Sequence, residues 1–511
     1  MEQRMRYYDR IQAARGALFL VTVCAIPLAL WAGSAPLDSR FTGSYATLTS
    51  VAVACALAGT AAFALNLVLG ARIRLVEALF GGLDRMYRAH RLNGQAAFTL
   101  LLGHVVLILA GRATISSDVA LDLLGPGAGW TVFAGVLAFA AMTVAIVLTL
   151  FVRLGHEVFV YVQRTFGFVF LVATYHVFTT SGARDDSAAL NVYMALLATL
   201  GVAAFVYRSL LGNLLVRRRR YRVAAVNRLD GLVTEIVMEP LGRPLSYAAG
   251  QFVFVNFRSL ALGRQLHPFE LSVERQVFSI RAGDVRNQFH PFSITSAPGE
   301  PELRVTVKAV GDYTRALRRL EVGAEAVVEG PYGSFSHADV PGRRQIWIAG
   351  GIGVTPFLSM ARGLGDDERP DVDFYYCVER AEEAHFLEEL RSLVPVTLVA
   401  RDVDGFLTAE RLAVAHPDLS HAEVLVCGPP AMIASLRAQL AARGVPRQRF
   451  HAEEFGFAKI GRPRPAEAAE SLPSALAADR KLLASLAAVA FAGPTLAIGV
   501  LVGAYLLARG R

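Results

Sequence analysis

Apolar residues are concentrated in six long segments within residues 1–215 of the chain. Most of these segments are about long enough to cross a bilayer as a helix, and the third and fifth reach that length only with their polar ends included. Their approximate limits are 15–33, 44–70, 95–111, 129–152, 165–181 and 189–212. The pattern therefore predicts a bundle of six transmembrane helices at the start of the chain.

The pattern changes from about residue 222, where short alternating segments with Gly and Pro turns continue to Pro331. Such a pattern is typical of a small antiparallel β-barrel. From Gln345 onward, an apolar strand, a Gly-rich turn and a helix follow one another, and later strands are predicted at DFYYCV, VTLVA and EVLVCG. This second pattern predicts an α/β domain of the βαβ type.

The last part of the chain returns to membrane-like composition. Residues 458–480 are rich in Ala, Pro and Glu and are predicted to form a linker. The apolar stretch that follows is long enough to span a membrane, with a kink expected at Pro494. We therefore predict a multi-domain fold: an all-α six-helix transmembrane bundle, a soluble antiparallel β-barrel, an α/β domain and an extra C-terminal transmembrane helix. The predicted boundaries are 1–215, 220–335, 340–457, 458–480 for the linker and 481–508 for the last helix.

Composition and charge support a membrane protein. The 511-residue chain is 54% hydrophobic, and its mean hydropathy of +0.42 is too high for an ordinary soluble enzyme. The formal net charge is +8, but the basic residues cluster beside apolar segments, as in the RRRR run at 217–220. The lipid bilayer is therefore the expected partner, and nucleic acid is not. The positive-inside rule places the N-terminus and the soluble region in the cytoplasm, as in a multi-pass protein of the bacterial inner membrane.

Histidines within the apolar segments are the first candidates for chemistry. His90 and His104 are 14 residues apart, which is roughly 21 Å along one helix and within about 40° of whole turns. The two imidazoles therefore share a helix face at different membrane depths. His176, on the fifth segment, is predicted at the depth of His104. The pattern favours haem ligation by His90, His104 and His176 over polar residues that only hydrogen-bond between helices.

Four short motifs in the soluble part suit nucleotide cofactors. GGIGVTP places glycines where backbone must approach a phosphate before a helix. HPFSITS combines rings with Ser and Thr donors that suit an isoalloxazine ring, GDYT offers a hydroxyl to a pyrophosphate, and CGPPAM joins a strand to a helix. Each motif alone also fits an ordinary turn or strand end.

Taken together, these motifs resemble the NADPH oxidase and ferric reductase family, in which a ferric reductase-like transmembrane core is joined to an FAD/NADPH module of ferredoxin–NADP reductase type. The matching motifs are HRLNG, HPFSITSAP, GDYT, GPYGSF, GGIGVTPF, CGPP and EEFGF, which follow one another between residues 90 and 457. The resemblance implies that the β-barrel binds FAD, that the α/β domain binds NADPH, and that b-type haem lies in the bundle.

The resemblance also assigns roles to individual residues. The FAD-binding residues would be His290, Pro291, Phe292, Ser293, Ile294, Thr295, Ser296, Lys308 and Thr314. The nicotinamide nucleotide would be bound by Gly350, Gly351, Gly353, Val354, Thr355, Pro356, Arg380, Gly428 and Pro429. Cys427 would lie near the transferred hydride, and Phe455 or Phe457 would stack on the flavin, with the EEF match favouring Phe455.

The chain departs from the family pattern in two places. Gln163 stands where the second histidine of an inner haem is expected. Two haems are expected, and the inner one would be five-coordinate on His90, re-ligated or weakly held. Residues 259–289 are longer than the family's equivalent and contain a second HPF, at 267–269, which we interpret as coincidence because no SITS-like donors follow it.

The resulting hypothesis is a transmembrane oxidoreductase. It would move electrons from cytoplasmic NADPH through FAD and haem to oxygen on the outer face, giving superoxide. Ferric chelate, quinone or a periplasmic protein is an alternative acceptor, and a non-enzymatic membrane haem protein with a degenerate reductase module is an alternative of another class. NADH remains possible, because Glu379 could accept from a ribose 2′-hydroxyl whereas Arg380 could pair with a 2′-phosphate.

Overall fold

The computed structural model describes residues 2–454, apart from positions 155, 181–186, 260–265, 275–276, 285–288, 341 and 366–369. The predicted linker at 458–480, the predicted helix at 481–508, and Phe455 and Phe457 lie outside the described residues.

The first part of the chain is helical, and the described residues include six helices long and apolar enough to cross a membrane, as predicted. In chain order its helices are α1 (Glu2–Ala32), α2 (Leu37–Arg40), α3 (Ser44–Gly70), α4 (Arg74–Phe80), α5 (Leu83–Ala113), α6 (Ser117–Asp122), α7 (Trp130–Phe151), α8 (His156–Thr179), α9 (Ala188–Phe205) and α10 (Gly212–Leu215). The six long helices are α1, α3, α5, α7, α8 and α9. Helices α5 and α8 begin earlier than their apolar segments because the preceding polar residues contain no proline and continue the helix.

Helix α3 lies at the centre of the bundle. About 78% of its span is buried, against 17% for the spans of α5 and α8. Small residues allow this close packing: Ala52, Ala54 and Ala61 are fully buried, and a β-carbon at Gly59 would lie 2.9 Å from Leu101 of α5. Small side chains let helix backbones approach closely, which is how membrane helices gain packing energy without a hydrophobic driving force.

The predicted β-barrel follows the bundle. One short strand, β1 (Arg153–Leu154), lies within the bundle. The strands between the bundle and the α/β domain are β2 (Arg218–Arg228), β3 (Val233–Pro240), β4 (Phe252–Arg258), β5 (Leu266–Glu274), β6 (Val277–Asp284), β7 (His290–Ser293), β8 (Leu303–Lys308) and β9 (Glu325–Tyr332), with the short helix α11 (Asp312–Ala316) after β8. Six of these strands form the antiparallel sheet of the barrel, in the order β7-β4-β9-β2-β3-β8. A bridge between Ile294 and Val305 joins the two edges, so the barrel is nearly closed around an apolar core.

The long 259–289 segment contains the hairpin β5–β6, which lies outside the barrel sheet. Its strand β6 pairs in parallel with β1, the connection between α7 and α8, at Arg153–Ser279 and Leu154–Ile280. The second HPF motif therefore lies on a different sheet from the HPFS of β7.

The predicted α/β domain completes the described chain. Its elements are β10 (Arg344–Gly350), α12 (Thr355–Arg362), β11 (Asp371–Val378), α13 (Leu387–Leu393), β12 (Val396–Ala400), α14 (Arg401–Asp404), α15 (Ala409–Ala415), β13 (Glu423–Gly428), α16 (Pro430–Ala442) and β14 (Phe450–Glu454). The five strands are parallel in the order β12-β11-β10-β13-β14. Strand order reverses between β10 and β13, and ligands of such sheets bind at the carboxyl ends of the strands next to that reversal.

Candidate cofactor and nucleotide sites

The predicted flavin strand β7 is held at the edge of the barrel by β4, with His290 opposite Val255 and Ser293 opposite Phe252. The His290 ring stacks on Tyr313 of the GDYT motif, with ring centroids 3.8 Å apart and planes within 20°. Two motifs that begin 21 positions apart, at His290 and Gly311, therefore form one surface. Tyr313 is a site residue that the sequence reasoning did not single out.

Two hydroxyl groups of the SITS segment are buried without a hydrogen-bond partner among the described residues, Ser293 Oγ and Thr295 Oγ1. Buried polar groups are usually paired, so unpaired hydroxyls beside a predicted cofactor strand fit a ligand with a polar edge. Ser296 differs, because its Oγ lies 2.8 Å from the Tyr247 hydroxyl and accepts from the backbone N–H of Arg304 at 3.1 Å. Its hydroxyl is therefore used within the protein.

The other predicted flavin residues support this edge. Phe292 and Ile294 point into the barrel core, and Pro291 is half-buried beside them. Lys308, at the end of β8, lies 4.0 Å from Glu383 of the α/β domain. The Thr314 hydroxyl accepts from the backbone N–H of Gly311 at 2.9 Å and so fixes the GDYT turn.

The Gly-rich edge of the α/β domain brings β10 and β13 into close contact. A β-carbon at Gly353 would lie 2.2 Å from the carbonyl oxygen of Cys427, and one at Gly350 would lie 2.8 Å from Pro429. A β-carbon at Gly428 would lie 3.1 Å from Gly350. Gly351 has φ +55° and nothing within 4 Å of its β position, so the backbone there is open to a close-approaching phosphate.

The residues after these glycines begin two helices. Thr355 starts α12, its hydroxyl donates to Ile352 O at 3.0 Å, and Pro356 occupies the first turn, where its missing N–H is tolerated. Val354 is buried beneath the turn. Pro429 is the residue before α16, so both helices start at the edge where a dinucleotide would bind.

Cys427 is fully buried at the end of β13. Burial raises the pKa of its thiol well above the ordinary value, and the nearby carboxylate of Glu453 raises it further, so the side chain is a neutral thiol. Glu453 lies opposite Cys427 in the β13–β14 register, and a β-carbon at Gly333 of the barrel would lie 3.8 Å from its Oε1. Glu453 therefore lies where the two cofactor domains meet, a position that no local sequence pattern marks.

Arg362 of α12 joins the two domains. Its Nη1 donates to Thr295 O at 2.7 Å, its Nε donates to Glu389 at 2.6 Å, and its Nη2 lies 3.8 Å from Glu235. Ser359 adds a hydrogen bond to Ser296 O at 2.7 Å. These contacts fix the orientation of the nucleotide edge relative to the SITS segment.

The cations at the carboxyl ends of β11 and β12 are exposed. Arg380 is 63% exposed and lies 3.5 Å from Glu382 and 3.6 Å from Glu383. Arg401 is 51% exposed and pairs with Glu379 at 2.9 Å. Exposed ion pairs contribute little to stability, so either arginine can leave its glutamate partner and pair with an anionic ligand instead.

The three predicted haem ligands share one hydrogen-bonding arrangement. In each, Nδ1 faces a backbone carbonyl of a neighbouring helix: His90 with Asn66 O at 3.1 Å, His104 with Ala52 O at 3.0 Å, and His176 with Thr131 O at 2.7 Å. A carbonyl oxygen only accepts, so Nδ1 carries the proton and Nε2 keeps its lone pair. Across the described residues no hydrogen bond reaches these Nε2 atoms, and the arrangement is the one expected of imidazoles that ligate a metal.

The levels of His90 and His104 are separated by aromatic side chains. Phe98 of α5 lies between the two histidines and stacks on Phe139 of α7, with ring centroids 5.9 Å apart. Further phenylalanines of the same packed cluster are Phe63, Phe166 and Phe170. Among the described residues, the side chain of Gln163 of α8 makes one long contact, 3.5 Å from its Nε2 to Thr149 Oγ1 of α7.

Three family models match successive parts of the chain. The model described as a ferric reductase like transmembrane component matches residues 55–174, an FAD-binding domain model matches 279–336, and an oxidoreductase NAD-binding domain model matches 347–438. The chain therefore combines a ferric reductase-like transmembrane domain with an FAD-binding domain and an oxidoreductase NAD-binding domain. It has the domain combination of the ferric reductase and NADPH oxidase family: a ferric reductase-like transmembrane domain with an FAD/NAD module of ferredoxin reductase type.

Individual relatives match the soluble module. The chain is 29% identical to the glycine betaine monooxygenase reductase subunit of Chromohalobacter salexigens, over 32% of this chain and 50% of that one. It is 33% identical to NADH oxidoreductase HCR of Escherichia coli, over 32% of this chain and 53% of that one. The chain thus spans about half the length of these curated relatives. Among solved structures, flavohemoglobin from Malassezia yamatoensis aligns with TM-score 0.42 and 18% identity, over 82% of this chain and 100% of that one.

Proposed function

We propose that the protein transfers electrons from a nicotinamide nucleotide, through FAD and haem, to an acceptor on the opposite side of the membrane. The hydrogen bonds of the three membrane histidines carry this proposal, because they hold each imidazole in the tautomer that presents Nε2 to iron. FAD would supply the change from hydride to single electrons, and haem would carry the electrons across.

The residues of the soluble module would bind and orient the two nucleotides. His290 and Tyr313 offer a stacked surface, and the Ser293 hydroxyl offers a polar contact at the barrel edge. The open backbone at Gly351 and the two helix starts would receive the pyrophosphate of the nicotinamide nucleotide. The buried Cys427 and the half-buried Glu453, which lie opposite each other in the β13–β14 register, would line the nicotinamide end.

NADPH is the donor that we propose, with NADH as the alternative. Arg380 and Arg401 follow adjacent parallel strands at the nucleotide edge, and both are exposed. A 2′-phosphate is a dianion near neutral pH, and two arginines can pair with it by exchange from their carboxylates.

In the membrane, His104 and His176 would together hold an outer haem, and His90 would hold an inner haem. A haem held by two imidazoles would supply one-electron transfer. The basic clusters near the soluble domains support a cytoplasmic location of these domains in a bacterial inner-membrane protein, by the positive-inside rule. Electrons would then leave on the outer face.

Oxygen, reduced to superoxide, is the first acceptor to test. A ferric chelate is the second, because the transmembrane segment matches a ferric reductase-like model. Full-length protein in liposomes, with NADPH added on the side of the soluble module, should reduce one of these acceptors on the other side. Superoxide formation, ferric chelate reduction and quinone reduction are measured in parallel with absorbance of flavin and haem.

Two results would contradict the proposal. Flavin that stays oxidised with both NADPH and NADH would remove the reductase function. Reduced flavin with no change in the haem spectrum would favour the alternative of a membrane haem protein that does not receive electrons from the module.

A further inference from the structure

One six-residue segment at the end of strand β9 makes several polar contacts to the membrane domain. This segment, residues 329–334, ends β9 and contains the GPYGS part of the motif. We call it the docking strip. Arg74 of α4 donates to Gly330 O at 2.7 Å, and the backbone N–H of Gly333 donates to Glu77 Oε1 of α4 at 3.1 Å. The Ser334 hydroxyl donates to Gly81 O at 2.8 Å.

The first residue of the docking strip, Glu329, is a buried carboxylate, only 1% exposed. It pairs with Arg208 after α9 at 2.7 Å and with Arg218 at the start of β2 at 3.3 Å. The Tyr332 hydroxyl donates to its Oε1 at 3.0 Å. Breaking a buried pair leaves uncompensated charge, so such a pair strongly favours one arrangement of the parts that it joins.

The charge of Glu329 is maintained by its neighbours. Burial by itself would raise the pKa of this carboxyl, but the positive charges of Arg208 and Arg72 outweigh it and lower the pKa overall. Arg72 belongs to the turn between α3 and α4, and its guanidinium lies 4.1 Å above the Phe254 ring. Cations from the bundle therefore surround a carboxylate of the barrel.

Apolar side chains from both domains pack around these polar contacts. Phe252, Phe254 and Tyr332 of the barrel form one cluster with Leu69 of α3 and Met86 of α5. Strand β4, which carries the two phenylalanines, lies between β9 and the predicted flavin strand β7. On the membrane side, His90 lies one turn beyond Met86 on the same helix. The docking strip thus lies two strands from the flavin strand and next to the helix of the inner histidine.

We propose that residues 329–334 hold the flavin barrel in register with the membrane helices, and that Glu329 is a positioning residue for electron transfer from flavin to the His90 level. The inference rests on the proposed function for its electron path, and on the contacts above for the docking. Glu329 would act through the partners of its carboxylate, which are Arg208, Arg218 and Tyr332. Its loss should leave reduction of the flavin by nucleotide intact and slow the next step.

The test uses the full-length protein and the variant Glu329→Gln, which keeps the shape but removes the charge. Flavin and haem reduction are followed separately by anaerobic stopped-flow absorbance after mixing with NADPH. We expect flavin reduction to be unchanged and haem reduction to slow by about tenfold or more, because loss of the buried charge leaves its arginines unpaired and misplaces the barrel, and misplacement far from the chemistry costs rate. Glu325→Gln is the matched control, because Glu325 lies on the same strand and pairs with Arg220 of the barrel at 2.7 Å.

A second readout does not depend on activity. Hydrogen exchange at residues 329–334, which include the Gly333 N–H bonded to Glu77, should accelerate in Glu329→Gln and stay unchanged in Glu325→Gln. Should Glu329→Gln fail to fold, Arg74→Ala removes the exposed contact to Gly330 O and should show the same two effects more weakly.

The outcomes separate the two proposals. Flavin that NADPH and NADH both fail to reduce in the unaltered protein overturns the proposed function. Normal flavin reduction, with haem reduction and exchange in Glu329→Gln and Arg74→Ala equal to those of the unaltered protein, overturns the docking role and leaves the reductase function in place.

Discussion

Gly353 lies directly against the carbonyl oxygen of Cys427, and a β-carbon at position 353 would lie 2.2 Å from that oxygen. The neighbour is backbone of a central strand and has little freedom to move. The contact connects the Gly-rich turn after β10 with the end of β13, the two strands on either side of the order reversal.

Gly353→Ala should therefore disrupt the nucleotide edge. We expect weaker NADPH binding and a lower thermal midpoint of the α/β domain, because the turn must shift to accept the methyl group. Gly365→Ala is the control, since its β position has nothing within 4 Å. Equal NADPH binding by the two variants, measured by calorimetry, would show that the close approach does not shape the site.

The proposed outer haem site is tested by variants of its two histidines. Replacing His104 or His176 with Ala would remove one of the two proposed haem ligands and should abolish the low-spin signal of that haem in electron paramagnetic resonance. Tyr175→Phe, beside His176 but 48% exposed, should keep the signal. Full haem content and an unchanged spectrum in both histidine variants would refute this ligand pair.

Gln163 predicts a different spectrum for the inner site. Within the part of the chain that the structure describes, the one polar contact of this side chain is 3.5 Å from Thr149, so the amide is available to turn towards a metal. We expect an inner haem on His90 with an open or weakly filled sixth position, which gives a high-spin component. Gln163→His should convert that component to low spin. One haem per chain without any high-spin signal, or no spectral change in Gln163→His, would contradict the assignment of this level.

The α/β domain should lose stability in mild acid because of His416. This imidazole is 5% exposed, with Nε2 at 2.8 Å from the Tyr375 hydroxyl and Nδ1 at 3.0 Å from Arg344. Burial lowers its pKa, although the carboxylate of Asp373 opposes the shift. The unfolded chain therefore binds a proton at higher pH than the folded one, and stability is present above the ordinary pKa of 6.5 and decreases as pH falls below it.

The measurement is the thermal midpoint of the α/β domain between about pH 7 and pH 5, a window that brackets an ordinary histidine. His416→Gln should reduce the pH dependence, whereas His421→Gln, in an exposed turn, should leave it unchanged. Identical pH profiles of the unaltered protein and His416→Gln would show that other groups cause the effect.

Nucleotide choice is tested at the two exposed arginines. Arg380→Ala and Arg401→Ala should each lower kcat/KM with NADPH by about tenfold and change kcat/KM with NADH little, because only NADPH carries the 2′-phosphate. Arg391→Ala, whose partner is Glu388 on α13, is the control. Equal losses with both nucleotides would assign these arginines to a contact that the two donors share.

The sequence by itself determined the classes of element. Six apolar segments, one alternating region and one strand–Gly turn–helix unit are local patterns, and each reflects which surface an element must bury. The predicted bundle, barrel and α/β unit are all present in the described chain, and the family resemblance is confirmed by the matching models. Helix starts were less accurate, since α5 begins at Leu83 and α8 at His156, where polar residues continue the helix without an apolar signal.

Only the tertiary structure decided which residues meet. Glu453 beside Cys427, Arg362 against Thr295, and Tyr313 against His290 are contacts between distant segments, and no spacing in the chain encodes them. Glu329 is the sharpest case. In the sequence it is an ordinary strand carboxylate before GPYG, whereas in the fold it is buried among arginines from the bundle and the barrel. A buried charge requires partners from whatever packs against it, and that packing exists only once the domains have come together.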